Sequence, residues 1–505
     1  MKRRDFIRNI SCGAMGTTTL MSSLTSLGAL NGLTKIGTGN NAPGEDYKAL
    51  VCILFSGGMD TFNVLVPSGT TVGGDNGFNE YRTLRTDLAL SSAGTLLSLN
   101  NPQCGSFRGF NCAYSSYGVH PAMTGVRDLF NSGKLSFISN IGTLVEPLMN
   151  ESEFYNSQKK VPLGIYSHSD QIMQWQTSVP QSRDALGVGG RMADILNANN
   201  SNNGISMNIS LAGKNVFQRG QFVTEYSISD NVDPNNVGLQ SFPTWWGNSG
   251  LLNDMRTNAI DSLVSKTYAN LLQKTYSSTA KNSMASFEIF KEALKRVPTI
   301  QTTFPNTSLA RDLQAITKVM SVRQQLGTKR QIFFVNIGGW DMHDGLMGGL
   351  NNMLPVVSQA MKAFYDSTVE LGIAENVTTF TISDFARTLT SNGNGSDHAW
   401  GGNNMIMGGA VNGGRIFGAY PKMDVSNNNA LNVSFRGNFI PAVSTDEMYA
   451  ELALWYGVSP SDLCYILPNL GNFYSYSANN MPVGFMNFSQ SPISNINHPL
   501  DCLTY

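Results

Sequence analysis

Runs and alternations of apolar residues divide the chain into strands and helices from residue 48 onward. "KALVCILF" (48–55) is an almost continuous apolar run that stops at "SGGMDTFN", the pattern of a strand buried on both faces. "HPAMTGVRDLFNSG" (120–133) has helical spacing, a proline near its start and a glycine after its end, as helix boundaries require. The strand pattern "KLSFISNIG" follows at once, and strand, helix, strand in that order predicts a parallel sheet. Residues 198–250 hold "NANNSNNG", "DPNNVG" and "PTWWGNSG" and read as irregular loops with short strands. Three helical stretches occupy 251–327. The α/β rhythm then resumes with "QIFFVNIG" (331–338), a helix over roughly 350–372, "NVTTFTI" (376–382) and the strand-like "NNMIMGGAV". A last helix, "STDEMYAELALWYGV" (444–458), precedes a loop-rich tail. Strands on either side of the helical stretch are equally apolar. The expected fold is therefore one large α/β domain over 47–475 with a mostly parallel sheet, a helical insertion at about 251–327 and a tail over 476–505.

Composition adds one restriction. The chain has 505 residues, 41% of them hydrophobic and 14% charged, with a net charge of -1. That balance supplies no general field for nucleic acid or an anionic membrane, so recognition by charge must be local. The first thirty residues are different, with a basic start, a weakly apolar middle and small residues near Ala29, which is the layout of an export signal. Arg3 and Arg4, followed by Asp5, Phe6, Ile7 and Arg8, resemble the twin-arginine signature of proteins exported already folded. The expectation is a signal over 1–30, a linker over 31–46 and a periplasmic or extracellular mature protein. The Thr, Ser and Gly of the apolar run make it a poor bilayer span, so no permanent span is expected once the signal is removed. In an oxidising compartment Cys104 with Cys112 and Cys464 with Cys502 are the expected disulfides, although spacing alone does not fix the connectivity. Cys52, inside the first strand, is expected as a buried small hydrophobe.

Candidate chemistry lies where the apolar strands stop. Three of them end in short Gly- or Ser-containing turns that carry an acid: "ILFSGGMD" with Asp60, "FFVNIGGWDMHD" with Asp341 and His343, and "TFTISDF" with Asp384. Strand carboxyl ends share one edge of an open α/β sheet, where ligands bind. Clustered carboxylates repel, and a cation or protons relieve that repulsion. These acids, with His343 and His398, suit a divalent ion held by mixed oxygen and nitrogen ligands. Taken singly, each acid is as readily a turn former or a helix cap. "GIYSHSDQIM" adds Ser167, His168 and Asp170 at an apparent helix start. A hydroxyl there can act as a nucleophile or simply cap the helix. Arg387 can clamp a phosphate or sulfate oxygen or pair with one of the acids. In "SDFARTLTSNGNGSDHAWGGNN" (383–404), Gly401 and Gly402 allow close backbone approach, and Trp400 is expected as a lid or wall.

In order along the chain, "LVCILFSGGMDTFNVLVP", "VHPAMTGVRDLFNSGKLSFISNIGT", "YSHSDQIMQWQ", "IGGWDMHDG", "SDFARTLTSNGNGSDHAWGGNNMIMGGAVNGGRIFGAYP" and "LALWYGV" resemble the bacterial domain-of-unknown-function family numbered 1501. That family is similar to the alkaline phosphatase and sulfatase superfamily. The resemblance implies a three-layer α/β sandwich and a metal-dependent hydrolase of phosphate or sulfate esters, acting on a small-molecule or polysaccharide substrate. It puts Asp60 in the place of the aspartate after the first strand, and Asp341 and His343 in that of a later Asp and His spaced wider in the superfamily. Asp384 takes the place of the acid of a "Ser-Asp-His-Gly" turn, and His398 that of the last histidine ligand. Phe385 stands where that turn has its histidine, which points to one ion (Zn, Mn, Ca or Mg) or none rather than two. The catalytic candidates are Ser167, His168 and Arg387, with Thr61 a second hydroxyl. The alternative is a non-catalytic carbohydrate- or protein-binding module on the same scaffold, with Trp245 and Trp246 of "TWWG" as its aromatic contacts.

Overall fold

A computed structural model describes residues 46–69, 76–156, 159–201, 205–232, 249–476 and 480–488. The proposed signal, the "TWWG" tryptophans and Cys502 lie outside the described residues. Ten strands form the central sheet: β1 (Lys48–Phe55), β2 (Gln103–Cys104), β3 (Leu135–Gly142), β4 (Asn208–Ser210), β5 (Tyr226–Ser227), β6 (Arg330–Ile337), β7 (Val377–Ser383), β8 (Gly402–Gly408), β9 (Arg415–Gly418) and β10 (Val443–Ser444). Their order is β5-β4-β6-β1-β7-β8-β3-β9-β2, with β10 also pairing β3. β8 runs antiparallel to both its neighbours, β7 and β3, and every other pairing in the sheet is parallel.

Nine helices matter here: α1 (Gly77–Arg85), α2 (Thr124–Asn131), α3 (His168–Thr177), α4 (Val188–Leu196), α5 (Ser249–Ser265), α6 (Leu271–Leu294), α7 (Ser308–Ser321), α8 (Leu346–Glu370) and α9 (Thr445–Tyr456). The sheet is buried on both faces because β1 divides its side chains between two cores. Ala49, Val51, Ile53 and Phe55 pack with Leu129 of α2, Leu313 of α7 and Leu354 of α8. Leu50, Cys52 and Leu54 point the other way, into the layer that holds Met192 of α4 and Leu452 of α9. Period-two alternation thus places apolar groups on both faces, which is why the strand reads as a continuous run. This is the three-layer α/β sandwich expected above. α7 is part of the layer beneath α8, whereas α5 keeps Leu251, Met255 and Leu263 exposed.

Cys104 and Cys112 form a disulfide, and Cys464 is also disulfide-bonded. Cys52 is a buried free thiol. Among the described residues, no helix is long and apolar enough to cross a membrane.

One consequence of the topology governs the site. β6, β1 and β7 are adjacent and parallel, so their carboxyl ends meet at one edge. β8 is antiparallel, so its first residue lies at that same edge, and the 384–401 loop never leaves it. That loop is a tied hairpin, not a solvated excursion. Ala399 N–H donates to Ala386 O (2.7 Å), Thr388 N–H to Asp397 O (2.9 Å) and Asn392 N–H to Gly395 O (2.9 Å).

Candidate metal centre

β6 ends at Ile337, and the chain turns through Gly338 and Gly339 to Trp340 and Asp341. The turn after β1 packs directly against it. Gly57 has φ +119°, and a Cβ there would lie 2.4 Å from Asp341 N. Only glycine combines that backbone with that approach. Gly395 plays the same part for the hairpin, since its Cβ would lie 2.3 Å from the carbonyl carbon of His343. Two close backbone contacts therefore bring Asp341, His343 and His398 to one place. α3 supplies the fourth group, because His168 is its first residue.

Each of three imidazoles is held by its Nδ1 and turns its Nε2 toward Asp341. His168 Nδ1 is 2.7 Å from Asp384 Oδ2, His343 Nδ1 is 2.9 Å from Asp397 Oδ1, and His398 Nδ1 is 2.7 Å from Tyr166 O. The Nε2 atoms of His343 and His398 lie 3.1 and 3.5 Å from Asp341 Oδ1, and that of His168 lies 3.5 Å from Asp341 Oδ2. Ligand atoms of His168, Asp341 and His398 all fall within 4.8 Å of one another. An Nδ1 that faces a carboxylate or carbonyl carries the proton, so the Nε2 of a neutral ring presents a lone pair. His343 Nε2 and His398 Nε2 are 2.9 Å apart, a contact that a proton on one of the two rings satisfies. The group that fits a metal ion by the chemistry of its donors is His168, Asp341 and His398, two imidazoles and a carboxylate. Carboxylate or carbonyl support behind each ligating histidine is the usual arrangement around such ions.

The electrostatics agree. Burial lowers the pKa of His398, and the charges of Arg387, His168 and His343 add to that, which favours the neutral, ligating ring. Burial acts to raise Asp341, but the hydrogen bond and charge of Arg387, with His168 and His343, outweigh it and hold the carboxyl below its ordinary value. Asp384 is 1% exposed. Burial raises its pKa against the opposing bonds from His168 and from the backbone N–H groups of Gly57 and Asp384 itself. Tyr166 adopts φ +73°, uncommon for a bulky residue, and its carbonyl is the one that orients His398.

Other expected residues take different positions. Asp60 is buried, and its Oδ2 pairs with Arg85 of α1, while His168, Asp341 and His398 form the group that could share an ion. Ser167 caps α3, its Oγ accepting from Asp170 N (3.4 Å), but Asp170 pairs with Arg183 instead of closing a capping box. Thr61 Oγ1 accepts from Asn403 N (2.9 Å) in the interior. Arg387 is 0% exposed. It donates to Gly57 O, Gly58 O (2.8 Å), Trp340 O (3.2 Å), Ser396 O (2.9 Å) and Asp341 Oδ1, so it locks the strand-end turns together instead of reaching toward solvent. Trp400 is no lid: it is buried, and its N–H donates to Thr143 O (2.9 Å). Gly401 and Gly402 make close approaches to Asn140 and Thr61. Phe385 is buried with its ring 4.3 Å from that of His398 and 4.7 Å from that of His168.

Asp397, Arg436 and the Tyr166 carbonyl were not singled out from the sequence. Arg436 Nη1 lies 2.5 Å from Asp397 Oδ2 and so fixes the carboxylate that fixes His343. The adjacency of Asp397 to His398 was the available signal. Nothing local marks Arg436 or Tyr166.

Residues 251–440 match the family described as protein of unknown function (DUF1501). The DUF1501 match takes in Asp341, His343, Asp384, Arg387, Asp397 and His398, while Asp60 and His168 precede it. No curated protein matches the chain. Solved structures similar to it include the lipoteichoic acid synthase LtaP from Listeria monocytogenes, at 8% identity over 82% of this chain and 79% of that one, with a TM-score of 0.30. The PsFucS1 sulfatase from Pseudoalteromonas sp. is similar at 11% identity over 82% and 68%, with a TM-score of 0.27. A TAB5 alkaline phosphatase variant with magnesium bound is similar at 12% identity over 75% and 96%, with a TM-score of 0.24.

Proposed function

We propose that this chain is an extracytoplasmic, metal-dependent hydrolase of phosphate or sulfate esters. The observation that supports it is the convergence of three Nδ1-anchored imidazoles and the Asp341 carboxylate at the carboxyl edge of the sheet, a usual place for ligands in such folds. His168, Asp341 and His398 would hold the ion, with His343 beside them. A divalent ion there supplies Lewis acidity, lowering the charge cost of the attacking oxygen and of the charge that develops on the ester.

The remaining work falls to the chain's own groups. Asp384, Asp397 and the Tyr166 carbonyl fix ring orientation, so the site needs little rearrangement when substrate arrives. α3 begins at His168, and the positive end of its dipole lies beside the cluster and favours a tetrahedral oxyanion. None of the three imidazoles is hydrogen-bonded to a hydroxyl among the described residues. We therefore assign the attacking oxygen to water and leave Ser167 as the cap of α3.

The test is metal analysis of the purified mature chain, followed by turnover on a panel of aryl phosphates and aryl sulfates. Bound metal with turnover that chelation removes supports the reading. A well-folded chain with no metal and no turnover on either ester class refutes it.

A further inference from the structure

The donor set around Asp341 limits both the kind and the number of ions the site accepts. We propose that it takes one borderline transition-metal ion, of the Zn(II) type, and rejects both alkaline-earth ions and a second ion, because buried arginines already stand where further cations would bind. This rests on the metal-site reading above but on no particular reaction.

Selectivity follows from the donors. The residues that would hold the ion offer two imidazole Nε2 atoms, of His168 and His398, and the Asp341 carboxylate, with His343 Nε2 beside them. Calcium takes six to eight oxygens, and magnesium demands near-octahedral oxygen and keeps its waters. Imidazole-rich sets with a single carboxylate suit zinc and its neighbours, and the order of affinities among divalent ions favours them further.

The count follows from what the other carboxylates are doing. A second ion needs its own carboxylates within reach of the first, since paired ions lie about 3.5–4 Å apart. Asp60, the acid after β1, is paired in the interior with Arg85. Asp341 Oδ1 already accepts from Arg387, whose guanidinium is 0% exposed and tied to four backbone carbonyls, so it cannot swing away. Guanidinium keeps its charge at any physiological pH. A second divalent ion at Asp341 would therefore face the fixed positive charge of Arg387 at close range, a repulsion that solvent screens only in part because Arg387 is buried while Asp341 is half-exposed. Asp397 is shared among His343, Asn392 and Arg436. Asp384 Oδ2 is held by His168, and among the described residues no side chain bonds its buried Oδ1.

The experiment uses the whole mature chain, stripped with a chelator and then dialysed against equal concentrations of zinc, manganese, magnesium and calcium salts. Elemental analysis gives identity and stoichiometry, and cobalt(II) substitution gives an electronic spectrum that is independent of turnover. The expected result is one zinc per chain, retained against a large excess of magnesium and calcium. The cobalt form is expected to show the intense visible bands of a low-coordinate, nitrogen-rich site. Two ions per chain, or magnesium or calcium displacing zinc at equal concentration, overturns this inference and leaves the hydrolase reading standing. No bound ion overturns both. Asp384→Asn separates the remaining case: if the wild type binds two ions and the variant one, the Asp384 carboxylate is the second site and the arginines do not exclude it.

Discussion

Asp341 is the residue whose replacement tests the largest part of this reading. It touches all three imidazoles and Arg387, yet its side chain is 47% exposed. Asp341→Asn keeps an oxygen in place for Arg387 but removes the charge. Asp341→Ala removes both. Losing a hydrogen bond between charged groups costs about 1.5–3 kcal/mol. Half-exposure lets solvent screen the pair, so the expected cost for Ala is nearer 1 kcal/mol. Arg387 keeps its four carbonyl partners, so the fold holds. Metal binding responds far more strongly. Loss of a partner behind a ligand weakens an ion by about 10–100-fold, and loss of a ligand itself is expected to exceed that. Denaturant melts, elemental analysis after dialysis and release of nitrophenol from aryl esters together read the three quantities. The reasoning fails if Asp341→Asn binds metal as well as the wild type, or if Asp341→Ala does not fold.

Three other outcomes follow from the same geometry. Asp397→Asn, which loosens His343 and frees Arg436, should lower metal affinity by about 10–100-fold with little change in melting; unchanged affinity would remove Asp397 from the site. Gly57→Ala should cost about 1–3 kcal/mol through its positive φ alone and weaken metal binding as well, because its Cβ would lie 2.4 Å from Asp341 N; a variant that melts like the wild type contradicts the packing described here. Asp446 is fully buried, with Ser178 donating to its Oδ2 (2.9 Å), and burial raises its pKa to about 8. The native state thus holds that proton more tightly than the unfolded chain, so the stability it contributes is present at low pH and lost as pH rises from about 4 to about 8. Asp446→Asn mimics the protonated acid and should gain on the wild type between about pH 5 and pH 8 in chemical denaturation; a difference independent of pH refutes this.

Much of the fold was legible because burial leaves a local signature. Strands packed on both faces read as unbroken apolar runs, and β1, β3, β6 and β7 begin and end within two residues of where those runs do. The termini of α9 were equally readable: Ser444 and Glu447 form a capping box, and Gly457 takes φ +112° beyond the last turn. The strand-end acids were also visible, but their partners were not. Asp60 and Asp384 follow neighbouring parallel strands and look alike in sequence. One faces Arg85 in the interior, and the other braces His168.

What the sequence determined alone is the set of local preferences: which segments bury both faces, where they stop, and which polar groups stand at the stops. Which of those groups meet is a property of strand order, of the antiparallel strand β8 that returns the 384–401 hairpin to the carboxyl edge, and of arginines brought from distant segments to neutralise particular carboxylates. Pairings across 25 to more than 300 residues carry no period that a local pattern can reveal. Charge and hydrogen bonding act through space, so only the assembled chain distinguishes an acid that faces a buried guanidinium from one that shares a cluster of histidines.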